Sequence, residues 1–235
     1  ELLSLCEWLK DNFSIRGVVI RGTEGHFCAG GDIKDMVQAR AEAMSGTAEN
    51  DPYYDLNRLF GNMMMAINDL PQVVVAVVEG AVFGGGFGLA CVSDIAICHS
   101  NAKFGMPETT LGVIPAQIAP FVVERVGRSE ARRLSLMAER FDGESALEMG
   151  LVHYLESSDE ALADRLEQVC NRIRQCAPGA NAVTKRLLLE VGNVPTAELL
   201  DCAAEAFSAA VQGAEGFEGT MAFIEKRKPN WASEA

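Results

Sequence analysis

The chain has 235 residues, 49% hydrophobic and 23% charged, enough for one globular domain with a large core. Its formal net charge of −13 argues against nonspecific nucleic-acid binding, which rests on clustered Lys and Arg. No apolar run has the length of a membrane span, and seven scattered cysteines and three distant histidines (His26, His99, His153) give neither a disulfide framework nor a metal site.

Leu2, Leu5, Cys6 and Leu9 mark one face of an opening helix, whose charges exclude a secretion signal. Gly17 to Arg21 reads as a strand. In the loop HFCAGGDIKDM that follows, Gly30-Gly31 turn the chain and Asp32 is placed to cap a helix from Ile33. Ala39 to Pro52 is polar and small and reads as a surface connection. Leu56, Leu59, Phe60, Met63, Ile67 and Leu70 recur at helical spacing, with Met63 to Met65 as core filler or pocket wall. Val73 to Val78 is a continuous β-branched run, the pattern of a strand buried on both faces.

Gly84-Gly85-Gly86-Phe87-Gly88 leads from that strand into a predicted short helix, Leu89 to Val92. Asp94 is expected to fix a turn before a second strand, Ile95 to Cys98, and the segment closes on Pro107-Glu108 and Pro115. Gln117–Val126 and Ser129–Ala138 read as two helices separated by Gly127. Ser145–Gly150 is a helical turn and Val152–Leu155 a short strand. From Asp159 the chain reads as helix, broken at Pro178 and Pro195. The order predicts an α/β core with a parallel sheet and a helical C-terminal region.

Glycines between a buried strand and a helix allow close packing and leave main-chain N–H groups at a helix N-terminus. The dinucleotide fingerprint fails on spacing, because its third glycine position falls on Leu89 or Cys91, and there is no G-x-x-x-x-G-K-[ST]. Standing alone, the glycines would read equally well as a packing turn. They do not stand alone. FCAGGD and FGGGFGLA each follow a strand, and each could aim an N–H at one point. Two such donors make an oxyanion hole, which stabilises an enolate formed from a thioester.

These paired motifs, with PETTLGVIP, the Glu139 to Gly143 stretch with Ala146, and the tail MAFIEKRKPNW, resemble the crotonase (enoyl-CoA hydratase/isomerase) family. The resemblance implies a spiral of ββα units, a core over 1–177, and a helical trimerisation region over 178–235. It implies that the amides of Gly31 and Gly85 hold the thioester oxygen and that Glu108 is the catalytic carboxylate. The Ala29 carbonyl and Gly31, Asp32, Ile33 and Lys34 would lie against coenzyme A, and Phe223 and Lys226 near its adenine, sometimes in a neighbouring subunit. The expected partners are an acyl-CoA substrate and further copies of the chain, as a homotrimer or dimer of trimers, with no nucleic acid or membrane. No cofactor is expected, since coenzyme A arrives with the substrate. A cytoplasmic location is expected.

Relatives usually begin with a further strand pair and an Asn-Arg-Pro-type segment, so the chain is expected to be N-terminally short. The family's two-glutamate hydratases carry Glu where this chain has Gly88. Residue counting therefore leans towards a Δ3–Δ2 isomerase working through Glu108 alone. GGGFGLACVSDIAI and GVIPAQIAPFVVERVG instead resemble bacterial hydratases of branched glutaconyl-CoA esters, of the 3-methylglutaconyl-CoA and isohexenylglutaconyl-CoA type. Gly88 is expected to open room for the branch, and Gln117 to offer its amide to a distal carboxylate. Glu124 and Glu139 are candidates for a second acid but read better as surface charges. Asp32 reads as a cap, Cys28 as packing, and His99 and His153 as structural. A CoA-ester-binding or RNA-binding relative without activity is the non-enzymatic alternative.

Overall fold

The computed structural model describes residues 1–46 and 50–233. Four parallel strands form the main sheet: β1 (Gly17–Arg21), β2 (Val73–Val78), β4 (Ile95–His99) and β7 (Tyr154–Glu156), in the order β1-β2-β4-β7. The register is set by Gly17 opposite Val73, Val75 opposite Ile95 and Ile97 opposite Tyr154. β2 reads as an unbroken apolar run because both its faces are covered. Val74, Ala76 and Val78 enter the large core shared with α3 (Pro52–Asn68) and α4 (Gly85–Cys91), while Val75 and Val77 meet Leu162, Val169 and Ile173 of α7 (Asp159–Arg174).

A second sheet has no counterpart in the sequence pattern. It consists of β3 (Ala81–Phe83), β5 (Lys103–Gly105) and β6 (Arg140–Asp142), with β3 and β5 parallel and β5 and β6 antiparallel. Cys28 adds a single parallel bridge to Val82, so the FCAGG segment lies beside β3. The chain thus visits one sheet, then the other, then a helix. β2–β3–α4 and β4–β5–α5, with α5 spanning Ala119–Met137, repeat the pattern as an α/β spiral of ββα units. Phe87, Phe104 and Phe141 bind the layers together. Phe104 stacks on Phe141 at 5.3 Å and Phe87 meets both edge-on, at 6.4 and 6.0 Å.

Several boundaries differ from expectation. In α1 (Leu2–Lys10) only Cys6 and Leu9 are buried, while Leu2 and Leu5 are exposed. α2 runs Ile33–Ser45 through the stretch read as a connection and ends on Gly46 in the left-handed region; residues 47–49 of that stretch lie outside the described residues. The helix predicted from Leu89 begins at Gly85. α5 begins at Ala119 rather than Gln117 and, as expected, is interrupted at Gly127 (φ 77°, ψ 160°), where the backbone leaves the helical region between two helical stretches. Asp94 does more than fix a turn. Its Oδ2 accepts from the Val74 N–H (2.7 Å) and from Lys185 Nζ (2.8 Å), joining β2 to α8 (Pro178–Leu189).

Candidate active site

The two glycine turns meet. The Cys28 N–H donates to the Ala81 carbonyl (3.0 Å) and the Phe83 N–H to the Cys28 carbonyl (3.0 Å), which draws the FCAGG segment along β3 towards Gly84. Gly84 turns at φ 52°, in the region glycine favours, and hands the chain to α4. Gly86 is needed for the approach itself, since a Cβ there would stand 2.7 Å from Cys28 Cβ and closer still to its carbonyl oxygen. A Cβ on Gly85 would meet the Phe60 ring at 2.9 Å, so α3 walls that side. Gly31 faces open space.

Two main-chain donors are left over. Gly85 is the first residue of α4, where N–H groups have no intrahelical partner, and among the described residues no hydrogen bond from its N–H or from that of Gly31 is present. Asp32 caps α2 as expected, accepting from the Lys34 N–H at 2.8 Å. Ile33 begins that helix, and Ala29, Gly31, Asp32 and Lys34 are exposed around the turn.

Glu108 opens a 3-10 turn, Glu108–Leu111, just after β5. Its Oε1 lies 3.0 Å from where a Cβ of Gly84 would sit, and Gly30 Cα is 4.0 Å from that same point. The carboxylate therefore hangs over the meeting of the two turns. Its Oε2 is buried without a partner. Burial pushes the carboxyl pKa above the ordinary carboxylate value, against a smaller lowering from its own main chain.

Two expectations fail here. Gly88 does not open room. A Cβ there would meet Ile118 Cβ at 3.0 Å and Met64 Cε at 3.0 Å, and both side chains are buried, so the space is already filled. Gln117 does not present a free amide either. Its Nε2 donates to Asn57 Oδ1 (2.9 Å) and its Oε1 accepts from Arg58 Nη1 (3.2 Å). Glu139 is ion-paired with Arg133, and Glu124 is exposed, so neither stands as a second acid. His153 Nδ1 accepts from the Ala96 N–H (3.0 Å), a structural role.

Phe223 and Lys226 stand at the far end of α10 (Ala214–Ile224), Phe223 being 85% exposed, and no hydrogen bond or ion pair ties either to the glycine turns. Among the described residues no cluster of His, Cys, Asp and Glu could hold a metal ion, and no helix is long and apolar enough to cross a membrane. The site residues that sequence reasoning missed are Phe60, Ile118 and Arg58. Phe60 lay on the predicted helical stripe, but nothing in its spacing shows that it faces Gly85.

The chain matches the family model for enoyl-CoA hydratase/isomerase over residues 1–234. The crystal structure of an enoyl-CoA hydratase/isomerase from Marinobacter aquaeolei is 56% identical, with a TM-score of 0.94 over 98% of this chain and 87% of that one. Pseudomonas aeruginosa AtuE is 55% identical, with the same TM-score and coverage. The carnitinyl-CoA dehydratase of Proteus mirabilis is 29% identical across 94% of this chain and 83% of its own length. Both glycine turns and Glu108 lie within the matched span, and the chain belongs to the enoyl-CoA hydratase/isomerase (crotonase) family.

Proposed function

We propose that this family enzyme is a hydratase that adds water across the C2=C3 bond of a branched enoyl-CoA, of the 3-methylglutaconyl or isohexenylglutaconyl type. One observation carries the proposal: a half-buried carboxylate with one buried, unpaired oxygen sits over the meeting of two turns that each leave an N–H without a partner among the described residues. In this reading the Gly31 and Gly85 amides hold the thioester oxygen as it gains enolate charge. Removing one such donor from an oxyanion hole costs about 2.7–4 kcal/mol of barrier. Glu108 takes a proton from water as its oxygen bonds to C3, then returns that proton to C2. The addition of water changes no net oxidation state, so no redox cofactor is called for, and coenzyme A enters as part of the substrate.

Coenzyme A is assigned to the Ala29 carbonyl and to Gly31, Asp32, Ile33 and Lys34, with Phe223 and Lys226 reaching its adenine from the same or a neighbouring subunit. Assembly into a homotrimer or a dimer of trimers is supported by exposed apolar residues in the C-terminal region 178–235. These include Leu200, Phe207 and Val211 on α9 (Thr196–Gln212) and Phe217 and Ile224 on α10. Light scattering should return three or six times the 25.3 kDa chain mass. A cytoplasmic location fits seven unpaired cysteines.

The Δ3–Δ2 isomerase is the second reading, favoured because Gly88 and its filled surroundings leave no second carboxylate at position 88 to work with Glu108. The test is turnover in H₂¹⁸O with crotonyl-CoA, 3-methylglutaconyl-CoA, isohexenylglutaconyl-CoA and a 3-enoyl-CoA in parallel. Label entering a branched ester supports the hydratase; double-bond migration without label refutes it in favour of the isomerase. Glu108→Gln should abolish either activity, and full turnover by that variant would end both readings.

A further inference from the structure

α3 meets α4 through two side chains, Phe60 against Gly85 and Met64 against Gly88. The level of Phe60 on α3 is therefore the level of the proposed oxyanion turn. Arg58 is two residues earlier, about 3 Å along the helix axis and about 200° around it, but its guanidinium folds back over Gly61, the residue next to Phe60. Gly61 makes room for what happens beside it. A Cβ at Gly61 would stand 2.6 Å from Arg58 Nη1 and 2.8 Å from Gln117 Cδ, so the bare glycine surface is where Gln117 crosses the helix and braces the guanidinium.

Acidic residues outnumber basic ones by 33 to 20, and Arg21, Arg133, Arg165 and Arg227 all hold glutamates. Arg58 is half-buried, yet its partners are the neutral Gln117 oxygen and the Met65 sulfur at 3.7 Å, with no carboxylate in ion-pairing reach among the described residues. Gln117 is itself pinned at its other end by Asn57. A braced, partly desolvated guanidinium with spare N–H donors is a ready receptor for a carboxylate, which it can hold through two parallel bonds.

We propose that Arg58, braced by Gln117, selects acyl-CoA esters bearing a second carboxylate on the acyl chain, and binds that carboxylate beside the Phe60 wall. The proposal rests on the acyl-CoA reading of the site and names the substrate class it accepts. A glutaconyl chain fits, its second carboxylate lying four bonds from the thioester carbon, about 5 Å at ordinary bond lengths. Arg58 is the binding group and Gln117 a positioning residue.

The test is equilibrium binding by calorimetry of two saturated, unreactive esters. 3-Methylglutaryl-CoA and isovaleryl-CoA share the branch and differ in the carboxylate. The wild type should bind the carboxylate ester roughly 10- to 100-fold more tightly, the range for a hydrogen-bonded charge. Arg58→Met should bring that ratio near one while isovaleryl-CoA, which has no carboxylate, still binds and so reports an intact fold. Arg58→Lys should retain some of the preference, and Gln117→Gly should weaken it. Equal affinities in the wild type, or a preference surviving in Arg58→Met, would overturn the proposal, as would failure of both esters to bind. Turnover of 3-methylglutaconyl-CoA in H₂¹⁸O is measured alongside. Preference without label refutes the hydratase and leaves the carboxylate site standing; label without preference does the reverse.

Discussion

Gly86→Ala tests whether the approach of the two turns is what the chemistry needs. The added methyl would lie 2.7 Å from Cys28 Cβ and nearer still to the Cys28 carbonyl oxygen. Carbon atoms rest at about 3.5–4.0 Å, so the segments must separate by about 1 Å. Neither can yield freely, because the Cys28 carbonyl accepts from the Phe83 N–H and the Cys28 N–H donates to Ala81. Overpacking of this kind costs about 1–3 kcal/mol, and replacing a helical glycine by alanine returns about 1 kcal/mol. The net loss is therefore at most about 2 kcal/mol, or roughly 8 °C in Tm for a chain of this size. The kinetic effect should be larger. Displacing Gly31 from Gly85 by about 1 Å is expected to cost on the order of 100-fold in kcat, or about 2.7 kcal/mol of barrier. Urea unfolding and steady-state turnover of one preparation measure both. A folded variant with kcat within threefold of wild type would refute the reasoning.

Gly88→Ala should destabilise by about 1–3 kcal/mol, and by at least about 0.5 kcal/mol less in an Ile118→Ala background, where the methyl enters space that Ile118 vacated. Additive unfolding energies would show that residue 88 does not face Ile118. Glu108→Gln carries a prediction in pH. Burial raises the native carboxyl pKa, so its stability contribution is fully present below the unfolded value of about 4.3 and is lost as pH rises through the native value. The variant should thus melt higher than wild type at pH 8 and lose that advantage near pH 4, by differential scanning fluorimetry; an equal or lower Tm at pH 8 would count against a desolvated carboxylate. In wild type the acid limb of kcat/KM should lie above the ordinary glutamate range, since Glu108 must be ionised to act as the base, and a limb at or below that range would remove the proposed role.

β1 and β2 were legible to the residue because each is a β-branched run in a parallel sheet, β2 buried on both faces and β1 only partly. β3, β5 and β6 were not. Each is three residues long and becomes a strand only through distant partners, as when Lys103 meets Asp142. α4 begins four residues earlier than propensity suggests, because Gly85, Gly86 and Gly88 are there for bare surface. Phe60, Cys28 and Ile118 press where Cβ atoms would stand. The meeting of FCAGGD with FGGGFGLA was visible as a pair of motifs, and the position of Glu108 followed from resemblance. The lost side chain at position 88 was also visible, but not its replacement by Ile118, thirty residues on. Arg58 carried no signal at all, since an arginine on a helix announces neither its partner nor its lack of one.

The filling of position 88 constrains the proton economy more than the loss of a glutamate alone would. An emptied position could admit water or a repositioned acid, and division of labour between two groups could survive. Buried Ile118 and Met64 leave space for neither. In the proposed hydratase the proton removed from water would then be the one delivered to C2, through a single group that is base in one half of the step and acid in the other. A carboxyl raised by burial is suited to both, because it holds the proton long enough to return it without becoming too weak an acid to let go. Its unpaired oxygen fits the same demand, since a partner donating to it would favour the charged form and oppose the uptake.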